Sequence, residues 1–297
     1  MRSSCRGDAP RAPTRTIYYV SARDTGDDDL ETAEAPGPPR RNTGASFRGP
    51  GDMRQRSSRA FERNIPHSMR DTDDAWFRSW VSEPRLEPYL RAAGHDARRA
   101  RALYGWNARL ASAFLHDLAH LEVGLRNAFD RALCDAVLAG DDHWTDRRTL
   151  RQLFPVQARP DRRTGGIRDA NAIARRRVAE ATARARPADG STVLPGKIIA
   201  ELPFGFWALM PTDRLERGVW RPYLHRVYGP GTHRDDVRDA LDALRRFRNR
   251  VAHHECIMQG AETHRRRLVG QVRRLSEEAA RDLAARSDVA RLLRERP

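Results

Sequence analysis

Cysteine is scarce in this chain. Cys5, Cys134 and Cys256 stand far apart with no CxxC pair, which excludes a disulfide framework and a zinc knuckle and suits a reducing cytoplasm. Lysine is nearly missing, Lys197 being the one example; an Arg-for-Lys balance partly reflects coding bias and is given no weight. Long apolar runs are absent too. The N-terminus has no apolar signal core, and no stretch approaches the roughly 20 apolar residues that span a bilayer. A cytoplasmic protein with no membrane partner is expected. Aromatics make up 7% of residues and β-branched residues are sparse, whereas Ala, Leu, Arg and Glu abound, which favours helix over sheet. The motif inventory is short as well. There is no Walker A sequence, GxGxxG, GxSxG or His/Cys cluster at zinc spacing, and the HExxH pattern that His254-Glu255 begins fails at Met258. No cofactor and no metal are expected.

What remains is 297 residues, 39% hydrophobic and 32% charged, with a net charge of +15. That length affords one or two domains with a sizeable core. A pI near 11.0 points to a polyanionic partner held through phosphate contacts.

Residues 1–70 are rich in Pro, Gly, Ser, Arg and Asp and carry no apolar periodicity. Burial cannot offset the entropy of ordering such a stretch, so a disordered arm is expected ahead of one domain over 71–297. Met53 and Met69 are alternative starts.

In the domain, Ser82 is placed to cap a short helix with Pro84 in its first turn. After Gly94 one long helix is expected up to Gly140, because Leu103, Leu110, Phe114, Leu118, Leu121, Leu125, Phe129 and Leu133 recur at helical spacings. "IRDANAIARRRVAEATARAR" reads as a basic helix, its Arg175–Arg177 run as a solvated face. "LPGKIIAELPFGFWALM" reads as a short core helix and turn. Trp106, Trp144, Trp207 and Trp220 are expected in the core. Thr232 with Asp235 resembles a capping box, opening a helix striped by Val237, Leu241, Leu244 and Val251. A last charged helix should follow from about 262. No strand is strongly signalled.

One segment conflicts with this pattern. "RFRNRVAHHE", residues 246–255, packs arginines, an asparagine, two histidines and a glutamate onto the end of a well-patterned helix. Extending the stripe 237, 241, 244 by four reaches 248, an arginine. Arginine beside a core stripe is costly unless its charge is paired. Glu122 is one partner that would explain it, with His253 and His254 simply framing the helix's negative pole.

The same string, Arg248-Asn249-x-x-x-His253, resembles the R-x(4–6)-H motif of the HEPN superfamily, in the form seen in Abi-like abortive-infection proteins. "LYGWNARLASAFLHDLAHLEVGLRNAFDRAL" resembles that family's upstream helix, with Glu122 and Leu125-Arg126-Asn127 on a leucine ladder. "GKIIAELPFGFWALM" resembles the apolar segment between the two. The likeness covers residues 72 to about 285. It implies an all-α bundle of HEPN type with a long central helix that forms a homodimer. It also implies an endoribonuclease acting as an abortive-infection or toxin-type defence effector, which could have an antitoxin partner. The implied catalytic residues are Arg248, Asn249, His253 and His254, supported by Glu122, Arg126 and Asn127.

The chemistry suits those residue types. The ribose 2′-OH attacks phosphorus and leaves a 2′,3′-cyclic phosphate, without a metal. An imidazole, titrating near pH 6.5, can take or supply the proton, and a guanidinium can stabilise charge on the phosphorane oxygens. Residues five apart on an ideal helix lie about 140° around its axis. So either the helix breaks between Arg248 and His253, or each faces a cleft completed by a second subunit. The rival expectations are a non-catalytic HEPN module that binds RNA or protein, and a scaffold that docks its basic face on nucleic acid.

Overall fold

The structure is a computed structural model, and it describes residues 72–161 and 164–297, with side chains from 75 onward. The arm expected over 1–70 lies outside the described residues.

The described chain is all-α. Helices α1 (Thr72–Val81) and α2 (Glu83–Ala92) precede the central helix α3 (Ala97–Leu133), whose 37 residues span about 55 Å. Asp96 starts α3, its side chain accepting a 2.8 Å hydrogen bond from the Arg99 N–H and so satisfying one donor of the first turn. Every member of the expected leucine and phenylalanine ladder is buried, with Trp106 added to it. Each such side chain contributes about 1.5–3 kcal/mol when fully removed from water. The ladder faces many partners, since α3 packs against α2, α7, α8, α9 and α11.

Beyond α3, a 3-10 turn (Cys134–Ala136) and a loop lead to α4 (Arg147–Leu153). The long helix therefore stops before Gly140, which sits in the loop with φ +87°. Two short strands follow, β1 (Ala158–Pro160) and β2 (Ile167–Asp169), paired antiparallel with Arg159 opposite Arg168. The expected basic helix thus begins only at α5 (Ala172–Arg184), its first residues being spent on β2. Within α5, Arg175 pairs with Asp169 and donates to the Phe154 carbonyl at 2.7 Å, while Arg176 and Arg177 pair with Glu180.

Helices α6 (Pro195–Glu201) and α7 (Phe204–Ala208) carry the apolar segment. Trp207 sits edge-on to Phe206 and Trp144, and all four tryptophans expected in the core are buried. Short 3-10 and π turns lead to α8 (Arg234–Ala252). This helix starts at His233 rather than Thr232, and no side chain caps it. Similarly, Ser82 marks the α2 boundary without its hydroxyl capping, because its φ is +71°.

In place of one last helix there are α9 (Ala261–Leu275), α10 (Glu277–Arg286) and α11 (Val289–Arg294). Ser276 makes the first break: it is extended, and its hydroxyl accepts from the Ala279 N–H to begin α10. α11 then folds back on α3, and the Trp106 indole donates to the Leu292 carbonyl at 2.6 Å. Among the described residues, no helix is long and apolar enough to cross a membrane.

Candidate active site at the end of helix α8

The conflict posed by Arg248 is resolved one residue earlier. The buried stripe of α8 is Val237, Leu241, Leu244, Phe247 and Val251, so the step from 244 is three rather than four. Phe247 fills the core position expected of Arg248. It lies edge-on to Phe114 of α3 at 4.7 Å and stacks on His264 of α9 at 4.1 Å, with ring planes 10° apart. Arg248, turned about 100° from it, is half-buried at the flank. The expected pairing of Arg248 with Glu122 does not form: Arg248 makes no hydrogen bond or ion pair among the described residues.

The helix does break between Arg248 and His253. Its last residue is Ala252, and His253 takes the cap position, its N–H donating to the Asn249 carbonyl at 2.9 Å. The two bonds of a Schellman motif follow. The His254 N–H reaches the Val251 carbonyl at 3.1 Å, and the Glu255 N–H reaches the Arg250 carbonyl at 3.0 Å. Such a motif needs a left-handed residue where His254 stands, and His254 has φ +56°. Glycine is the usual occupant, since a Cβ there costs about 1 kcal/mol or more. The ideal-helix separation of 140° therefore does not apply to this arginine and histidine, and helical geometry alone does not call for a second subunit.

Two anchors hold the turn. Arg250 pairs with Glu255 at 3.1 Å and donates to the Cys256 carbonyl, closing the motif with a charge pair where an apolar contact is common. Asn107 of α3, buried in the core, donates to the Glu255 carbonyl at 3.2 Å and accepts from the Ile257 N–H at 2.9 Å. The residues after His254 are thereby bound to the central helix by a side chain acting like a strand partner. Between the anchors, His253 and His254 are exposed. The Asn249 Oδ1 is buried with no hydrogen-bond donor among the described residues.

His264 was not singled out by sequence, although "HRRR" at 264–267 places a histidine among arginines one helix further on. Its ring lies against Phe247, and Arg267 approaches its Nδ1 at 3.3 Å. Burial, together with Arg267, Arg250 and Arg246, pushes its pKa down to about 4. It is a neutral imidazole in a cationic surround.

The supporting residues lie elsewhere. Asn107 meets residues 255 and 257, and Phe114 meets Phe247, so α3 and α8 run antiparallel. Glu122 is fifteen residues beyond Asn107 on α3, which is about 22 Å along the axis. Glu122 and Arg126 are half-buried and Asn127 is exposed. Within one chain Arg248 and Asn249 stand on the last turns of α8 and His253 and His254 in the turn that ends it, while Glu122, Arg126 and Asn127 lie further along α3.

No known protein-family model, no curated protein and no solved structure matches this chain.

Proposed function

We propose that this chain is an endoribonuclease of Abi-like HEPN type whose active site is the turn from Arg248 to His254. One observation carries the reading: α8 ends so that Arg248 and Asn249 on its last turns and His253 and His254 just beyond it stand on a firmly anchored segment, and among the described residues Arg248 has no charge partner. Arg250, by contrast, is committed to Glu255 and the Cys256 carbonyl and holds the turn in place. Strain at His254 supports the reading, since strained backbone positions cluster at active sites; Ser82 and His95 are the other non-glycine residues with positive φ among the described residues.

In this reading an imidazole, His253 first and His254 second, takes the 2′-OH proton as the oxygen attacks phosphorus. The P–O5′ bond breaks, the leaving oxygen is protonated by a second imidazole, and a 2′,3′-cyclic phosphate remains. Arg248 stabilises the charge on the phosphorane oxygens. Asn249, with an unsatisfied acceptor, holds a ribose hydroxyl or an imidazole N–H in register. The acid and base sit on opposite sides of phosphorus, which His253 and His254 of one chain, or two copies across a homodimer axis, can supply. Defence or toxin action in the cytoplasm, with or without an antitoxin, is the biological setting of this proposal.

A second reading is a module that holds RNA or a protein without cutting. Its support is the basic character of the chain, with a net charge of +15, and Arg267 lying 3.3 Å from the His264 Nδ1 on the helix next to the turn. Purified chain incubated with RNA separates the two readings. A nuclease leaves cyclic-phosphate ends, acts in the presence of chelator while circular dichroism stays unchanged, and spares a substrate with 2′-deoxyribose at the scissile position. A binder retards every one of these RNAs and cuts none.

A further inference from the structure

At the other end of α3 the fold brings together three side chains of different chemistry. Asp130 and Cys134 are four apart at the helix terminus, one turn above the other, and His143 returns to them from the following loop. One donor atom from each, a carboxylate oxygen, Sγ and an imidazole nitrogen, lies within 4.8 Å of the others. We propose that Asp130, Cys134 and His143 form a binding site for one divalent transition-metal ion of the zinc class, with a fourth position open to water.

The donor set suits such an ion, since thiolate, imidazole and carboxylate are the ligands zinc takes. Ligands around tetrahedral zinc stand about 3.3–3.8 Å apart, given bonds of about 2.0–2.3 Å. The His143 Nε2 and Asp130 Oδ1 are already 3.2 Å apart. Cys134, at the exposed edge, closes the remainder by turning about its own side-chain bonds. On binding, the thiol releases its proton to buffer and the thiolate takes its place on the metal.

The supports around the cluster are those a metal site uses. Thr145 holds the other ring nitrogen, its Oγ1 lying 2.9 Å from His143 Nδ1 and its N–H donating to Nδ1 at 3.3 Å, which fixes the ring with Nε2 toward Asp130. Ligation moves the ring proton from Nε2 to Nδ1, where the Thr145 hydroxyl accepts it. The Trp144 indole donates to Asp130 Oδ1 at 2.7 Å, orienting the carboxylate from the buried side. The loop itself is tied down. Asp146 Oδ2 accepts from the Asp142 and His143 N–H groups, and Asp141 Oδ2 accepts from both the N–H and the hydroxyl of Thr149. The helix terminus adds its negative pole, which favours a cation.

A Cys–His–Asp nucleophile is the competing use of these groups, and the geometry disfavours it. That arrangement needs the carboxylate on one imidazole nitrogen and the thiol on the other. Here Asp130 occupies Nε2 and Thr145 occupies Nδ1. The site is twenty-three residues along α3 from Asn107, about 35 Å from the proposed nuclease turn. It stands or falls independently of that proposal.

The test uses the full chain, prepared without a histidine tag, stripped with chelator and titrated with Co2+. The expected result is one ion per chain with a thiolate-to-cobalt charge-transfer band. Cys134→Ser should lose that band while keeping its circular dichroism, since Cys134 is exposed. Thr145→Val, which removes the support of the ring, should weaken binding by about 10-fold or more. A wild-type titration with no charge-transfer band, or a band that survives in Cys134→Ser, overturns the site.

Discussion

Two chain reversals at opposite ends of the same long helix make a useful pair. In the loop after α3, the left-handed position is Gly140, with φ +87°. The turn after α8 packs onto the other end of α3, and there the left-handed position is His254. The first loop takes the residue that backbone sterics favour and commits its polar side chains to internal hydrogen bonds, as Asp141, Asp146 and Thr149 do. The second takes a strained residue and, among the described residues, leaves Arg248 and the Asn249 acceptor unmatched. Asp141, Asp146 and Thr149 are thus spent on holding their loop in place, including the loop's proposed ligand His143; where local chemistry and local structure part, a task other than folding is the economical explanation.

The largest effect that could break this contrast is on RNA cleavage. His253→Ala should lower the cleavage rate by about 10²–10⁴-fold, the usual contribution of a positioned acid or base. Arg248→Ala should lower it by about 10²–10³-fold, by analogy with loss of one oxyanion donor. Both chains should melt within about 0.5 kcal/mol of the parent, because neither change opens an apolar cavity. Matched kinetics and melting curves check this. A large fall in stability would mean that the two groups are structural after all. Wild type diluted with excess double mutant adds the subunit question: unchanged activity per wild-type subunit, in mixtures shown to exchange, means each protomer works alone.

The anchors should behave in the opposite way. Asn107→Ala strips the Ile257 N–H of its acceptor and the Glu255 carbonyl of its donor, both near the core. We expect a loss of about 2–3 kcal/mol, read by urea denaturation, since a buried group left unsatisfied costs about 1–3 kcal/mol. Cleavage should fall as well, because the turn that Asn107 holds carries the histidines.

How legible was this in the sequence? The α3 ladder could be read directly because one face of a long helix repeats Leu and Phe at helical spacing over about eight turns. The all-α class followed from it and from composition. The termini were harder. Thr232 and Asp235 had the spacing of a capping box, yet His233 takes the cap position of α8 and no side chain caps it, a shift of one residue that spacing alone does not foresee. Arg248 was read as a core position because 3-4 alternation allows either step after Leu244, and only the presence of Phe114 and His264 across the interface selects Phe247. Asn107 and His264 were illegible for the same reason: their partners lie 148 to 150 residues away for Asn107, and on a neighbouring helix for His264. The Asp130–Cys134–His143 cluster has no recognised zinc spacing, and the fold of the loop is what assembles it.

A third effect concerns pH. In the unfolded chain His264 should titrate near its ordinary 6.5, whereas folding pushes its pKa down to about 4. Between those values the unfolded state binds more protons, so stability falls as the pH drops through the window. This contribution is fully present above about pH 6.5. The groups responsible are burial against Phe247 and the charges of Arg246 and Arg250 from α8 and Arg267 from α9. Melting temperature should therefore decline from pH 6.5 toward 4, and His264→Leu should flatten that decline. An equal slope in the variant would assign the decline to other groups.

The smallest effect is the most telling, because its two readouts should move in opposite directions. His254 occupies the left-handed position of the Schellman motif at φ +56°, and its backbone makes the required bond to Val251. Its side chain is exposed and makes no hydrogen bond or ion pair among the described residues. His254→Gly removes a Cβ penalty of about 1–2 kcal/mol and adds back about 0.5–1 kcal/mol of backbone entropy in the unfolded chain. The net expectation is a gain of about 0.5–1 kcal/mol, seen as a higher urea midpoint with the same slope. If the imidazole is at this turn for chemistry, cleavage should fall in the same variant, the exchange of stability for activity expected of a strained site. His254→Asn is the control: asparagine tolerates the left-handed region but cannot act as an acid or base. It should melt near the glycine variant and cleave as poorly. A glycine variant that is both more stable and fully active would show that the strain at His254 serves no reaction, leaving His253 as the sole imidazole for the chemistry and shifting the second proton transfer to the partner protomer.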